Sequence, residues 1–177
     1  MPDMLIVFAG LPGTGKTTLA RRIAAELPAA LLRVDAIEAA IVRSGIAQHP
    51  LNEVGYLVMR DIAASNLAIG NDVLIDAVNS VTEARDIWVE LAATQKVLLC
   101  TVEVVLADKE EHRRRVERRE GDLVAGHVPT WAQVQAREYE PWDEEKHGSR
   151  LVVDSGDGPA ALNTIRGYLA DKYMLAR

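Results

Sequence analysis

The sequence predicts an α/β fold of three layers, with a five-stranded parallel sheet covered by helices on both faces. Three observations predict it. Short apolar runs that suit buried strands alternate with segments of helical periodicity along the whole chain. The first of these runs leads straight into the glycine-rich stretch GLPGTGKTT (10–18) and then a helix. Two later runs, ALLRVD and DVLIDA, each carry an acid at or near the end of the strand.

Each element follows from local signals. LIVFAG (5–10) is a buried strand closed by glycine. From Lys16, apolar residues at Leu19, Ile23, Ala24 and Leu27 mark a helical face that Pro28 ends. A second strand spans 30–35, and a short helix, 37–45, stops at Gly45. HPLNE (49–53) is a loop in which Asn52 can cap a long helix, 53–69, closed by Gly70 and Asn71. A third strand covers 72–77. Thr82 is the expected N-cap of a helix carrying Ala84, Ile87, Trp88 and Leu91. The fourth strand is 96–106, and Asp108 caps the charged helix KEEHRRRVERRE. A loop (121–129), a short helix opened by Thr130, a fifth strand with its turn (149–156) and a closing helix (159–173) complete the chain. No repeat or linker divides it, so residues 1–177 form one domain, with 37–70 and 108–148 as excursions from the core.

Composition narrows the function. Apolar residues make up 49% of the 177, a globular proportion. The formal net charge of -6 opposes nonspecific nucleic-acid binding but leaves room for a local basic groove. Cys100 is the only cysteine and reads as a packed core thiol. The four histidines have no zinc-ligand spacing. No apolar run approaches the ~20 residues of a membrane span, and the chain enters its first strand without a basic leader region. The expectation is a cytoplasmic protein.

The spacing Gly10-x-x-x-x-Gly15-Lys16-Thr17 fits a phosphate-binding loop. The expected nucleotide contacts are Gly10, Leu11, Pro12, Gly13, Thr14, Gly15, Lys16, Thr17 and Thr18. Glycines let backbone N–H groups approach phosphate oxygens, and the helix N-terminus adds unpaired donors and a favourable dipole. Lys16 reaches the β- and γ-phosphates, and the Thr17 hydroxyl suits Mg²⁺. The chain lacks the guanine-reading NKxD of GTPases and the length that a ring-forming ATPase with a helical lid domain needs. Asp76, after the apolar run VLI, is the expected metal-side acid, held to Mg²⁺ mostly through water.

The segments GLPGTGKTTLARRIA, RVDAIEAAI, DVLIDAVNSVTEAR, HRRRVERRE and VPTWAQVQAREYEPWD occur in one order. Together they resemble small P-loop kinases of the predicted-kinase or AAA-type ATPase family. That group includes the kinase domain of bacteriophage polynucleotide kinase, chloramphenicol phosphotransferase and the zeta toxins. The likeness covers nearly the whole chain. It implies an ATP- and Mg²⁺-dependent phosphotransferase in which Asp35 takes the proton of the acceptor hydroxyl. The other reading of Asp35 is a helix cap. The resemblance also implies substrate or phosphate contacts from Asn79 and Arg85, with an exposed helical position as the other reading of Arg85. It makes HRRRVERRE a lid that closes on ATP, with Arg115 and Arg119 as catalytic candidates. A solvated helix whose arginines pair with neighbouring glutamates is the alternative. The turn Asp154-Ser155-Gly156 is expected beside the adenine.

One departure bears on the acceptor. Polynucleotide kinases of this group carry an arginine three residues after the base, where this chain has Glu38. A carboxylate there disfavours a polyanion and suits a neutral or cationic small-molecule hydroxyl. Three alternatives stand beside that reading: a polynucleotide 5′-hydroxyl or nucleoside kinase, a toxin acting on a sugar nucleotide, and an ATP-binding switch without acceptor. Oligomeric state leaves no trace in the sequence.

Overall fold

The computed structural model describes residues 3–118 and 128–175. Strand β1 (Met4–Ala9) lies at the centre of a parallel sheet. Beside it run β3 (Asp72–Asp76) and β4 (Leu98–Val105), with β2 (Ala29–Arg33) and β5 (Arg150–Asp154) at the edges. The order is β2-β3-β1-β4-β5, and all four pairings are parallel.

Alternation along β1 builds two cores. Ile6 and Phe8 face one side, with Leu74, Cys100, Val102 and Val104 from neighbouring strands. Leu19 and Ile23 of α1 (Lys16–Glu26) and Leu162 and Ile165 of α8 (Gly158–Leu175) cover them. Leu5 and Val7 face the other side with Val73 and Ile75. There they meet Met59 and Ala63 of α3 (Val54–Leu67) and Trp88 and Leu91 of α4 (Thr82–Gln95). A right-handed strand–helix–strand succession with both faces covered is the expected arrangement for a parallel sheet. The Cys100 thiol is buried, and that burial pushes its pKa up to about 11. No helix among the described residues is long and apolar enough to cross a membrane.

Several boundaries move from their expected places. β2 stops at Arg33, so Asp35 lies in the first turn of α2 (Val34–Arg43) rather than at a strand end. An acid there still complements the positive end of the helix dipole. Thr82 is the first residue of α4 and not its cap; its N–H donates to Glu140 Oε2 at 2.6 Å, so a distant carboxylate does the capping. Asp108 does cap α5 (Lys109–Arg118), accepting from the N–H groups of Glu110 and Glu111 at 3.0 Å each. Thr130 and Gln133 form a reciprocal capping box on α6 (Trp131–Ala136). A single-turn helix, α7 (Glu144–His147), adds an element not expected from the sequence; Asp143 caps it.

Arg85 and Asn79, expected to touch substrate or phosphate, are instead buried structural residues. Arg85 is 2% exposed. Its guanidinium donates to the carbonyls of Asn79, Ser80, Glu140 and Pro141 at 2.8–3.1 Å and stacks 4.4 Å from the Trp142 ring centroid. Asn79 is fully buried; its amide donates to Phe8 O and accepts from Trp88 Nε1. The pair therefore pins the chain returning at 139–142 onto the start of α4. Tyr139 and Arg150 extend this anchor through the Glu103 carboxylate on β4, at 2.7 and 2.6 Å.

Removing the guanidinium leaves several buried carbonyls without donors, a penalty of about 3 kcal/mol or more. Arg85→Met is expected to lower the urea-unfolding free energy by about that amount. Arg85→Lys recovers little of it, since an ammonium cannot reach four carbonyls in one plane. Equal stability of Arg85→Met and the parent chain would contradict this role.

Candidate active site

The phosphate loop links β1 to α1, and its conformation depends on glycine at two places. Gly10 has φ +139°, and a Cβ there would lie 2.3 Å from Val104 O. Gly13 has φ +84°, and a Cβ there would lie 2.4 Å from Val116 Cγ2. The loop is braced internally by Thr14 Oγ1 donating to Leu11 O at 2.9 Å. Leu11, Gly13 and Gly15 are partly open, Thr18 is exposed, and Lys16 is only 6% exposed at the first residue of α1. Gly15 precedes it in the left-handed region, which turns the start of the helix toward the loop.

The C-terminal ends of the parallel strands bring the acids to this loop. Thr17 Oγ1 donates to Asp76 Oδ2 at 2.7 Å, and Arg33 Nε lies 3.4 Å from the same oxygen. The other carboxylate oxygen, Asp76 Oδ1, is buried and has no hydrogen-bond partner. A hydroxyl and a carboxylate with a buried, unsatisfied oxygen at the root of a phosphate loop fit a hard, oxygen-seeking Mg²⁺. Among the described residues no group of three His, Cys, Asp or Glu gathers. The fit is therefore to an ion that completes its shell with phosphate and water.

On the far side of the loop, α5 packs directly against it. The buried His112 Nε2 donates to Pro12 O at 2.8 Å, and its ring meets Trp131 edge-on at 5.1 Å. Arg115 reaches the loop beside Gly15. Its Nη1 donates to Ser155 Oγ at 3.1 Å, and Ser155 Oγ in turn donates to Thr14 O. A Cβ at Gly15 would stand 3.4 Å from Arg115 Nη1. The turn after β5 thus touches the loop through a side chain rather than lying apart from it. Arg113 and Arg114 pair with Glu117 and Glu111 on the solvent side, which is the solvated-helix arrangement. Arg115 also pairs with Glu111, at 2.9 Å. Arg119 lies outside the described residues.

On the near side, one cavity of about 480 Å³ joins the phosphate loop to α2 and α3. Pro12 and Lys16 form its loop wall. Asp35 and Glu38 enter from α2, one turn apart on the same face. Tyr56, His49, Asn52 and Arg137 supply the remaining polar lining. Burial, then the neighbouring Asp35 charge, pushes the Glu38 pKa above the usual carboxylate range. The Tyr56 hydroxyl accepts from Asn79 N–H at 3.2 Å, and burial raises its pKa to about 12. Tyr56 therefore stays protonated at neutral pH.

The structure thus groups Lys16, Thr17, Asp76 and Arg115 around the loop and puts Asp35 in the cavity beside Lys16, while Asn79 and Arg85 belong to the core. Tyr56, His49, Arg137 and His112 escaped the sequence reading. The periodicity of His112, Arg115 and Val116 on α5 was the available sign of a face turned to the loop. The others come together only through the fold.

The AAA domain family (AAA_33) matches residues 5–141. Three solved structures share the fold. A sugar kinase from Janibacter sp. HTCC2649 has 18% identity and a TM-score of 0.72, covering 96% of this chain and 95% of that one. Kti12 from Chaetomium thermophilum, solved with ADP-AlF3, has 20% identity and a TM-score of 0.69, covering 95% and 98%. The APS kinase of Mycobacterium tuberculosis, solved with AMPPNP and APS, has 19% identity and a TM-score of 0.65, covering 96% and 99%. A comparison with curated proteins finds no match.

The Glu38 shift has a measurable consequence. A carboxyl whose pKa is raised on folding keeps its full stability below the unfolded value, about 4.3, and loses it as pH climbs through the folded value. Glutamine carries no such penalty. Glu38→Gln is expected to raise Tm by roughly 1–2 °C at pH 7 and to leave it unchanged at pH 4, given the partial exposure of the group. The same shift at both pH values would contradict this.

Proposed function

The chain belongs to the AAA domain family, and from that premise we propose that it is an ATP- and Mg²⁺-dependent phosphotransferase acting on the hydroxyl of a small molecule. The observation that carries the reading is the shared cavity, in which Lys16 of the phosphate loop and the Asp35 carboxylate face one space. A sugar kinase and an APS kinase among proteins of the same fold support it by analogy.

In this reading the loop amides and Lys16 hold the triphosphate. Mg²⁺, when bound near Thr17 and Asp76, supplies positive charge that offsets the charge building on the phosphates. The acceptor hydroxyl oxygen attacks the γ-phosphorus as the bond from that phosphorus to the β,γ-bridging oxygen breaks, releasing ADP. Asp35 takes the hydroxyl proton. Arg115, beside Gly15 and Ser155, is placed to offset charge on the transferring group, and Arg119 is proposed to share that task. The α5 lid confines the reaction and excludes water as a competing acceptor.

The test is ADP release from Mg-ATP across nucleosides, 5′-hydroxyl oligonucleotides, sugars, amino alcohols and antibiotics, with Asp35→Asn alongside. One acceptor class is expected to raise release. Asp35→Asn is expected to cut kcat by about 10²–10⁴-fold while ATP affinity changes less than about threefold. Acceptor-independent ATP turnover that Asp35→Asn leaves unchanged would replace this reading with a nucleotide-dependent switch. Stimulation by 5′-hydroxyl oligonucleotides alone would replace the small molecule with a nucleic-acid end.

A further inference from the structure

Glu38 occupies a built seat. It is half-buried on α2, and α3 makes room for it at Gly55. A Cβ at Gly55 would lie 2.8 Å from Glu38 Cγ and 3.0 Å from Oε1. The missing side chain lets the carboxylate lie across the helix and into the cavity. The Asp35 charge adds to the cost of ionising it, while the charges of His49 and Arg137 act the other way. A half-buried carboxylate is costly to keep charged beside a second carboxylate.

The phosphates of the donor do not relieve that cost. Lys16 and Mg²⁺, when bound near Thr17 and Asp76, would face the triphosphate and not the two carboxylates. The acceptor end of the cavity holds Asp35 and Glu38 against the exposed Arg137 and a histidine. An acceptor with an added anion would meet two carboxylates. A neutral polyol would satisfy hydrogen bonds and leave the repulsion. A protonated amine would pair with Glu38 and offset the like charge that Asp35 places beside it. The Tyr56 hydroxyl, whose oxygen already accepts from Asn79 N–H, offers its own proton to an acceptor oxygen in the same space.

Resting on the phosphotransferase reading above, we propose that Glu38 is a specificity-determining residue that selects an acceptor bearing a protonated amine near the hydroxyl to be phosphorylated. The amine docks on the Glu38 carboxylate, and this brings the neighbouring hydroxyl to Asp35, one helical turn away. Nitrogen is not the nucleophile. The bond formed is oxygen–phosphorus, the amine keeps its protons, and the hydroxyl proton goes to Asp35.

The experiment uses matched acceptors that differ only in the amine: glucosamine against glucose, and ethanolamine against ethylene glycol. Turnover is measured as ADP release with Mg-ATP. Binding is measured by calorimetry with Mg-AMPPNP present. The parent chain, Glu38→Gln and Asp35→Asn are compared.

The amine member of a pair is expected to have the higher kcat/KM in the parent chain. Glu38→Gln is expected to reduce that value roughly 10- to 100-fold, mostly through KM, and to change the neutral member by less than about threefold. Asp35→Asn lowers kcat for both. Neutral acceptors preferred over amines, or equal losses for both members in Glu38→Gln, would overturn the role of Glu38 and leave the phosphotransferase standing. If amine and neutral members bind equally with Mg-AMPPNP present, the role of Glu38 is overturned whether or not any acceptor turns over. No turnover with these pairs or with any other hydroxyl compound would overturn the phosphotransferase itself, and this proposal with it.

Discussion

The hydrogen bond from Thr17 to Asp76 joins the two parts of the molecule on which everything else depends. Thr17 belongs to the helix that leaves the phosphate loop, and Asp76 ends the strand next to β1. Parallel register makes the meeting inevitable. Phe8 pairs with Asp76 and Asp76 with Arg33, so the ends of β1, β3 and β2 arrive at one edge of the sheet. A buried carboxylate is tolerable there because a hydroxyl and a guanidinium flank one oxygen. The second oxygen has no such partner, and a cation bound at this point would resolve the conflict.

The loop itself is a compromise between steric permission and bracing. Glycine at positions 10 and 13 admits close approach by β4 and α5, respectively, so the loop is held from outside as well as by its own bonds. From α5 and the turn after β5, three contacts do the outside work: His112 on Pro12, Val116 on Gly13, and Ser155 on Thr14. The root of α5 is therefore fixed to the loop even though the helix is rich in charge. Such bracing sets the amide directions before a phosphate arrives, which reduces the reorganisation that binding would otherwise cost.

Much of this was legible in the sequence because its signals are local. GLPGTGKTT carries its own geometry, and the alternation of β1 records two faces that both bury. Asp76 was readable from VLID. Asp35 was readable as a residue but not as a position, because the boundary between β2 and α2 lies two residues earlier than the apolar run suggests. Arg85 was misread for a different reason. A buried arginine is decided by what packs on it, and its partners at Glu140, Pro141 and Trp142 lie some 55 residues further along the chain. The cavity side chains Tyr56, His49 and Arg137 come from three separated segments, and no spacing rule links them.

The loop and Asp35 line one cavity, and in the proposed reaction phosphoryl passes there to an alcohol and not to water. The most direct measurement is ³¹P NMR of the products formed from Mg-ATP with each acceptor class present. A phosphate monoester signal coupled to the acceptor's carbon-bound protons, growing in step with ADP, is the predicted result. ADP accompanied only by inorganic phosphate, with every acceptor unchanged, would contradict it.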